Sequence, residues 1–140
     1  MASILNVDQI GHSTSGTTAI TIASDGTVTM PENDSGWITP TLNSPFTNFS
    51  ASPDFAPVEY RKIGDIVSVQ GLVDANSASG GSTIFTLPSG YRPKKRLIFT
   101  VENGNTVTAR IDIHPNGTVE AHAMANSGTW LNCTMTFMVA

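Results

Sequence analysis

The chain is poor in charge, in cysteine and in long apolar runs, and each shortage removes a class of protein. Charged residues are 13% of its 140 residues, about half the ~25% of an average soluble domain. The net charge is −4, whereas tracking nucleic-acid phosphates needs clustered Lys and Arg. No nucleic-acid partner is therefore expected. The one basic cluster, Arg92, Lys94, Lys95 and Arg96, flanks a Pro-containing turn and reads as the solvated start of a strand. The single cysteine, Cys133, excludes an intrachain disulfide framework. Lying in an apolar run, it reads as a small buried packing residue. No apolar stretch approaches the ~20 residues that span a bilayer, so no membrane insertion is expected. The first residues lack the basic region and apolar stretch of a signal peptide. Helical periodicity is nearly absent.

Ser, Thr, Asn and Gly are abundant instead. Hydroxyls and amides hydrate a surface without charge, and these residues favour strands and turns over helices. A compact chain of this length buries roughly 68–70% of its unfolded surface, enough for one domain with a short extension. Apolar residues alternate with polar ones and are interrupted at short intervals by Gly, Pro, Asn and Asp, the pattern of an all-β sandwich or barrel.

The alternation is clearest over residues 97–124. Val107, Ala109, Ile111 and Ile113 share one face, and Thr106, Thr108, Arg110, Asp112 and His114 the other. In the next run Val119, Ala121 and Ala123 oppose Thr118, Glu120 and His122. A one-residue slip would exchange the faces. A three-residue loop, Pro115-Asn116-Gly117, keeps them matched and pairs His114 with Thr118, Asp112 with Glu120 and Arg110 with His122. Pro115 presets φ for a type I turn and Gly117 suits the left-handed bulge position. By the same logic a loop of Asn103-Gly104-Asn105 aligns Val101 with Val107, Phe99 with Ala109 and Leu97 with Ile111. The sequence thus predicts an antiparallel meander over residues 97–102, 106–114 and 118–124. Further strands are expected over 58–62, 66–74, 83–87 and 129–139, with Trp130 opening the last as a core residue.

Residues 1–35 read differently. Ile20 and Ile22 face Val28 and Met30 across Ser24-Asp25-Gly26, but an isolated hairpin is marginal at best. Something must cover it, either sister copies or another protein. A linker over residues 31–36 (Pro-Glu-Asn-Asp-Ser-Gly) leads into a second domain, residues 36–140.

Chemistry-bearing patterns are few. Asp112 and Glu120 fall opposite one another, as hydrolytic carboxylate pairs do, but opposed like charges cost stability and Arg110 is near enough to compensate. Arg110 as a counter-charge is the preferred reading, and no catalytic residue is assigned. His12, His114 and His122 show no close ligand spacing, so no metal or other cofactor is expected. For ligand recognition the best candidates are short polar residues at strand ends and turns: Asp74, Asn76, Asn103, Asn105 and Asn126. Short amides and carboxylates bond ligand hydroxyls at little entropic cost, and rigid strands position them.

Two stretches carry a family resemblance. The opening Met-Ala-Ser-Ile-Leu-Asn-Val-Asp-Gln-Ile and residues 18–28, Thr-Ala-Ile-Thr-Ile-Ala-Ser-Asp-Gly-Thr-Val, are similar to the head of many phage fibre proteins. From Trp37 the landmarks run Pro45-Phe46-Thr47-Asn48-Phe49, Tyr60-Arg61-Lys62-Ile63-Gly64-Asp65, Val69-Gln70-Gly71-Leu72-Val73, Phe85-Thr86-Leu87-Pro88-Ser89-Gly90-Tyr91-Arg92-Pro93 and the run from Trp130. Their order resembles a C-terminal domain of bacteriophage tail-fibre and receptor-binding proteins. The resemblance implies a homotrimeric, jelly-roll-like antiparallel β-sandwich head that recognises a host-surface glycan or protein. It also implies an N-terminal segment over residues 1–35 that anchors to other tail proteins. Such a protein is non-enzymatic, is made in the host cytoplasm and resides in the virion tail. The rival reading is a capsid or tail decoration protein that binds no receptor.

Overall fold

The computed structural model describes residues 9–11, 18–29, 34–50, 53–75, 78–104, 107–122 and 130–139. It divides the chain into two compact units, Met1–Asn33 and Asp34–Ala140.

In the first unit, β1 (Gln9–Gly11), β2 (Thr18–Ile22) and β3 (Val28–Thr29) form an antiparallel sheet in that order. Ile22 pairs with Val28, and Ala23 N–H donates to Thr27 O at 2.8 Å, so the Ser24-Asp25-Gly26 loop has the register the face pattern requires. Ile10 pairs with Ile20 of the same chain. Met30 lies outside the described residues.

The second unit is all-β among the described residues. Its strands are β4 (Thr47–Asn48), β5 (Glu59–Ile63), β6 (Ile66–Gln70), β7 (Leu72–Asp74), β8 (Ser82–Thr86), β9 (Leu97–Asn103), β10 (Val107–Ile113), β11 (Thr118–His122), β12 (Trp130–Asn132) and β13 (Met135–Met138). They form a seven-stranded antiparallel sheet, β4-β7-β12-β9-β10-β11-β8, and a three-stranded one, β13-β6-β5. The larger sheet curls. Asn43, just ahead of edge strand β4, donates its N–H to Ile84 O of the opposite edge strand β8 at 2.8 Å. No helix among the described residues is long and apolar enough to cross a membrane.

One bent ribbon joins the sheets. Ile66 lies opposite Met138 and Val69 opposite Met135 in the smaller sheet; Leu72 lies opposite Asn132 and Asp74 opposite Trp130 in the larger. Cys133 N–H bonds Gly71 O at 2.9 Å at the bend, so the register runs unbroken from end to end. The expected single strands over 66–74 and 129–139 are therefore each one path through two sheets, turning the corner as strands do when they switch layers. Gly71 makes the corner possible: its φ is 108°, and a Cβ there would fall 2.2 Å from Pro57 O.

The inward faces of both sheets make one core. Val67, Val69, Met135 and Phe137 from the smaller sheet meet Val73, Ile84, Phe85, Ile111, Ile113, Val119 and Leu131 from the larger. Phe99 packs on Phe137 with ring centroids 6.5 Å apart. Cys133 is wholly buried, and burial pushes its thiol up to about 12, which makes it an inert packing group.

The β10–β11 hairpin has the expected register, with Asp112 opposite Glu120 and Arg110 opposite His122. His114 N–H bonds Thr118 O at 2.9 Å, and Gly117 takes φ 94°. The β9–β10 pairing differs by two residues: Val101 faces Ala109 and Phe99 faces Ile111. The loop still has three residues, but it is Gly104-Asn105-Thr106, and Asn103 belongs to the strand. The physical reason lies on the other side of β9. Strand β12 pairs Leu131 with Asn103, and Trp130 O accepts the Gly104 N–H at 2.8 Å, holding Asn103 in the sheet. An even shift preserves the faces.

Candidate functional site

Strand direction gathers three connections at one end of the larger sheet. Strand β7 ends at Asp74 opposite Trp130, where β12 begins. Strand β9 ends at Asn103 beside β12. Strand β11 ends at His122, and Ala121 is opposite Ser82, where β8 begins. Residues 75–81, 104–106 and 123–129 therefore all connect strands at this end. All five sequence-derived candidates fall at or between these strand ends.

Of the five, Asp74 is half-buried at the end of β7, while Asn76, Asn105 and Asn126 lie outside the described residues. Asn103 departs from expectation. It is 0% exposed, because the β12 pairing draws it into the sheet, and neither Oδ1 nor Nδ2 has a hydrogen-bond partner among the described residues. A buried unpaired amide costs about 1–3 kcal/mol, which makes Asn103 a polar anomaly of the core among the described residues. Trp130 also departs: it is half-buried, and its neighbour Leu131 fills the core. The signal missed was alternation itself, since Leu131 and Cys133 point inward and Trp130 and Asn132 do not.

The outward face of β9–β11 carries the main ionic cluster. Asp112 is 0% exposed although it lies on the polar face, because two guanidiniums cover it. Arg110 Nε donates to Oδ1 at 2.9 Å and its Nη2 to Oδ2 at 3.1 Å. Arg96 Nε donates to Oδ2 at 2.7 Å, and Arg96 Nη2 also contacts that oxygen. Burial pushes the Asp112 carboxyl up, but the hydrogen bonds and charges of Arg96 and Arg110 outweigh it and hold the group below its ordinary value. His122 Nε2 is 2.7 Å from Glu120 Oε1. His114 Nε2 lies 3.1 Å from Glu120 Oε2, at an angle that leaves it without a hydrogen bond among the described residues.

The cluster answers two expectations. Arg110 is the counter-charge for Asp112, while Glu120 lies against the imidazoles of His122 and His114. The basic run is not wholly solvated: Arg96 is committed to Asp112, and Arg92 Nε donates to Leu87 O at 2.9 Å. Among the described residues no group of three His, Cys, Asp or Glu side chains is arranged to hold a metal. His12 lies outside them.

The smaller sheet presents a different outer face. Ile63, Ile66 and Met138 stand in one cross-strand row, 53%, 48% and 68% exposed. The next row is Arg61, Ser68 and Thr136. Asp34, the first residue of this unit, bridges to Ile63 and takes the Arg61 guanidinium, Nε to Oδ1 at 2.7 Å. Hydrogen bonding from Arg61 lowers the Asp34 carboxyl to about 2. The same guanidinium lies 5.8 Å from the ring centroid of Trp37.

No family model matches the sequence, and no curated protein sequence matches it. Among solved structures, the chain is similar to the receptor binding protein (gp15) of Listeria phage PSA. The TM-score is 0.64 over 78% of this chain and 67% of that one. The chain shares its fold with a phage receptor-binding protein. Sequence identity is 17%, so the likeness is one of fold alone.

Proposed function

We propose that this chain is the receptor-binding tip of a bacteriophage tail fibre, acting as a homotrimer on a host-surface receptor, with a glycan as the preferred class. The observation that carries the reading is the shared fold with a phage protein named for receptor binding, joined to the independent likeness of the sequence landmarks to fibre C-terminal domains. Residues 36–140 are the receptor-binding head. Residues 1–35 anchor it to other tail proteins, and the protein is made in the host cytoplasm and assembled into the virion.

The receptor contact is assigned to the end of the larger sheet that carries the connections with Asp74, Asn76, Asn105 and Asn126, with Asn103 behind them. Short polar side chains on connections anchored by rigid strands suit hydroxyl-rich ligands. Three identical sites on one body gain avidity through effective concentration, so each need bind only weakly. The role needs no cofactor and no catalytic group.

The test is adsorption. Fluorescently labelled chain is expected to bind host cells and to block attachment of the phage, and antibodies against it should decorate the tail tip. Labelling of the capsid with no adsorption would instead establish a decoration protein. Clearing halos on a host lawn would show an enzyme.

A further inference from the structure

We infer that the row Ile63–Ile66–Met138 on the outer face of the smaller sheet is where copies of this chain meet. The inference rests on the proposed oligomeric assembly and adds the surface it uses.

Single exposed apolar residues are ordinary and need no partner. Ile98 is of that kind: it is 60% exposed, and its cross-strand neighbour on β10 is the charged Asp112, so it extends no apolar strip there. The row is different. Its members are direct cross-strand neighbours, Ile63 opposite Ile66 and Ile66 opposite Met138, so they form one continuous apolar strip across all three strands.

Two observations select a second copy as the occupant. The first is position. The chain comes into the head at Asp34, which bridges Ile63 and whose neighbour Ser35 donates its N–H to Lys62 O at 2.9 Å. If sister copies cover one another's N-terminal segments, the first of the two partners the sequence allows, they are tethered at this point, and the surface at highest effective concentration toward a sister copy is the one beside Asp34. The row also lies at the opposite end of the bent ribbon from Asp74 and Trp130, which leaves the polar connections free.

The second is charge. A face that meets its own copy must not carry an uncompensated charge, because like charges brought together cost stability. The row beside the strip is Arg61, Ser68 and Thr136, and the guanidinium is neutralised within the chain by Asp34. Beyond it, Gln70 Nε2 donates to Glu59 Oε2 at 3.2 Å. The strip and the row beside it together carry no net charge, and the Glu59 carboxylate stands one row further out, so the apolar strip can meet its own copy without bringing like charges together.

Sedimentation velocity of the full chain tests this, comparing wild type with Ile66→Glu, Met138→Lys and the control Ile98→Glu. All three positions are solvent-facing, and thermal unfolding verifies that each variant folds. Wild type and Ile98→Glu are expected to sediment as the same oligomer. Ile66→Glu and Met138→Lys are expected to raise the concentration of half-dissociation on the order of thirtyfold or more, as loss of a central interface residue does. An oligomer unchanged in both row variants overturns the inference while leaving the trimeric reading standing. Unchanged association with a lowered melting temperature also overturns it, because the chain would then be covering its own strip. A wild type that sediments as a monomer overturns the trimeric reading and the inference together.

Discussion

The ribbon of β6–β7 against β12–β13 ends in opposite materials. At one end Asp74 lies opposite Trp130, and three polar connections leave the sheet. At the other, about 26 Å away along the strand at ~3.3 Å per residue, Ile66 lies opposite Met138 with both side chains exposed. The same two strands build both ends in one register, so the contrast is not a matter of fold. It arises from which residues sit on the outward positions, where the core makes no demand and composition is free to serve contact with something outside. On the proposed function, the polar residues at one end would face the receptor and the aliphatic ones at the other a sister copy.

The largest expected effect comes from the corner that lets one ribbon serve both ends. Gly71→Ala would put a Cβ 2.2 Å from Pro57 O at a φ of 108°. Backbone strain and overpacking together predict a loss on the order of 4 kcal/mol, read as a shift in urea midpoint. Gly90 has a similar φ of 89° with nothing within 4 Å of a new Cβ, so Gly90→Ala is expected to lose only about 1 kcal/mol. Equal losses in the two variants would mean that close approach to Pro57 does not pin the corner.

A second contrast lies between outer faces, one closed by charge and one left apolar. Asp112→Ala removes the acceptor on which Arg96 and Arg110 converge. Both guanidiniums are 40–45% exposed and regain water, so the expected loss is about 2 kcal/mol and not the larger figure for a fully buried pair. The sign with pH follows from the lowered native pKa. Stability from Asp112 is present above the unfolded value near ~3.9 and is lost as pH falls through the native one. Asp34, held at about 2, loses its contribution over the same acid side, from about pH 4 down to about 2. Urea midpoints measured against pH should therefore fall on acidification below about pH 4. The fall should be shallower in Asp112→Asn and shallower again when Asp34→Asn is added. An unchanged slope in both would remove these ion pairs from the stability of the fold.

Much of this was legible in the sequence because period-two alternation carries strong information about faces and weak information about absolute register. The Pro115-Asn116-Gly117 loop fixed β10–β11 outright, since its turn chemistry and its face pattern admit one solution. The β9–β10 pair had two solutions that differ by two residues, equal in face matching. The choice between them is made by β12, nearly thirty residues further along, which local patterning does not see. The burial of Asp112 was hidden for a related reason: alternation assigned it to the polar face correctly, but only the fold brings Arg96 across from the preceding segment to cover it. The corner at Gly71 was invisible because a strand that changes sheets keeps its alternation.

Asn103 offers the smallest and most discriminating measurement, since it stands at the polar end yet inside the core. Its amide finds no partner among the described residues, so replacing it with valine, an apolar strand former nearer to it in volume, removes an unsatisfied group without removing a bond. Exchanging buried polar atoms for apolar ones of like size is neutral to stabilising, and Asn103→Val is expected to gain up to about 1 kcal/mol in urea unfolding. A loss of that size would show that the amide does have a partner, such as a bound water or the segment beyond the described residues. A stability gain accompanied by weaker adsorption to host cells would carry the comparison furthest. It would mean that the polar end keeps a destabilising amide because the receptor, and not the fold, requires it.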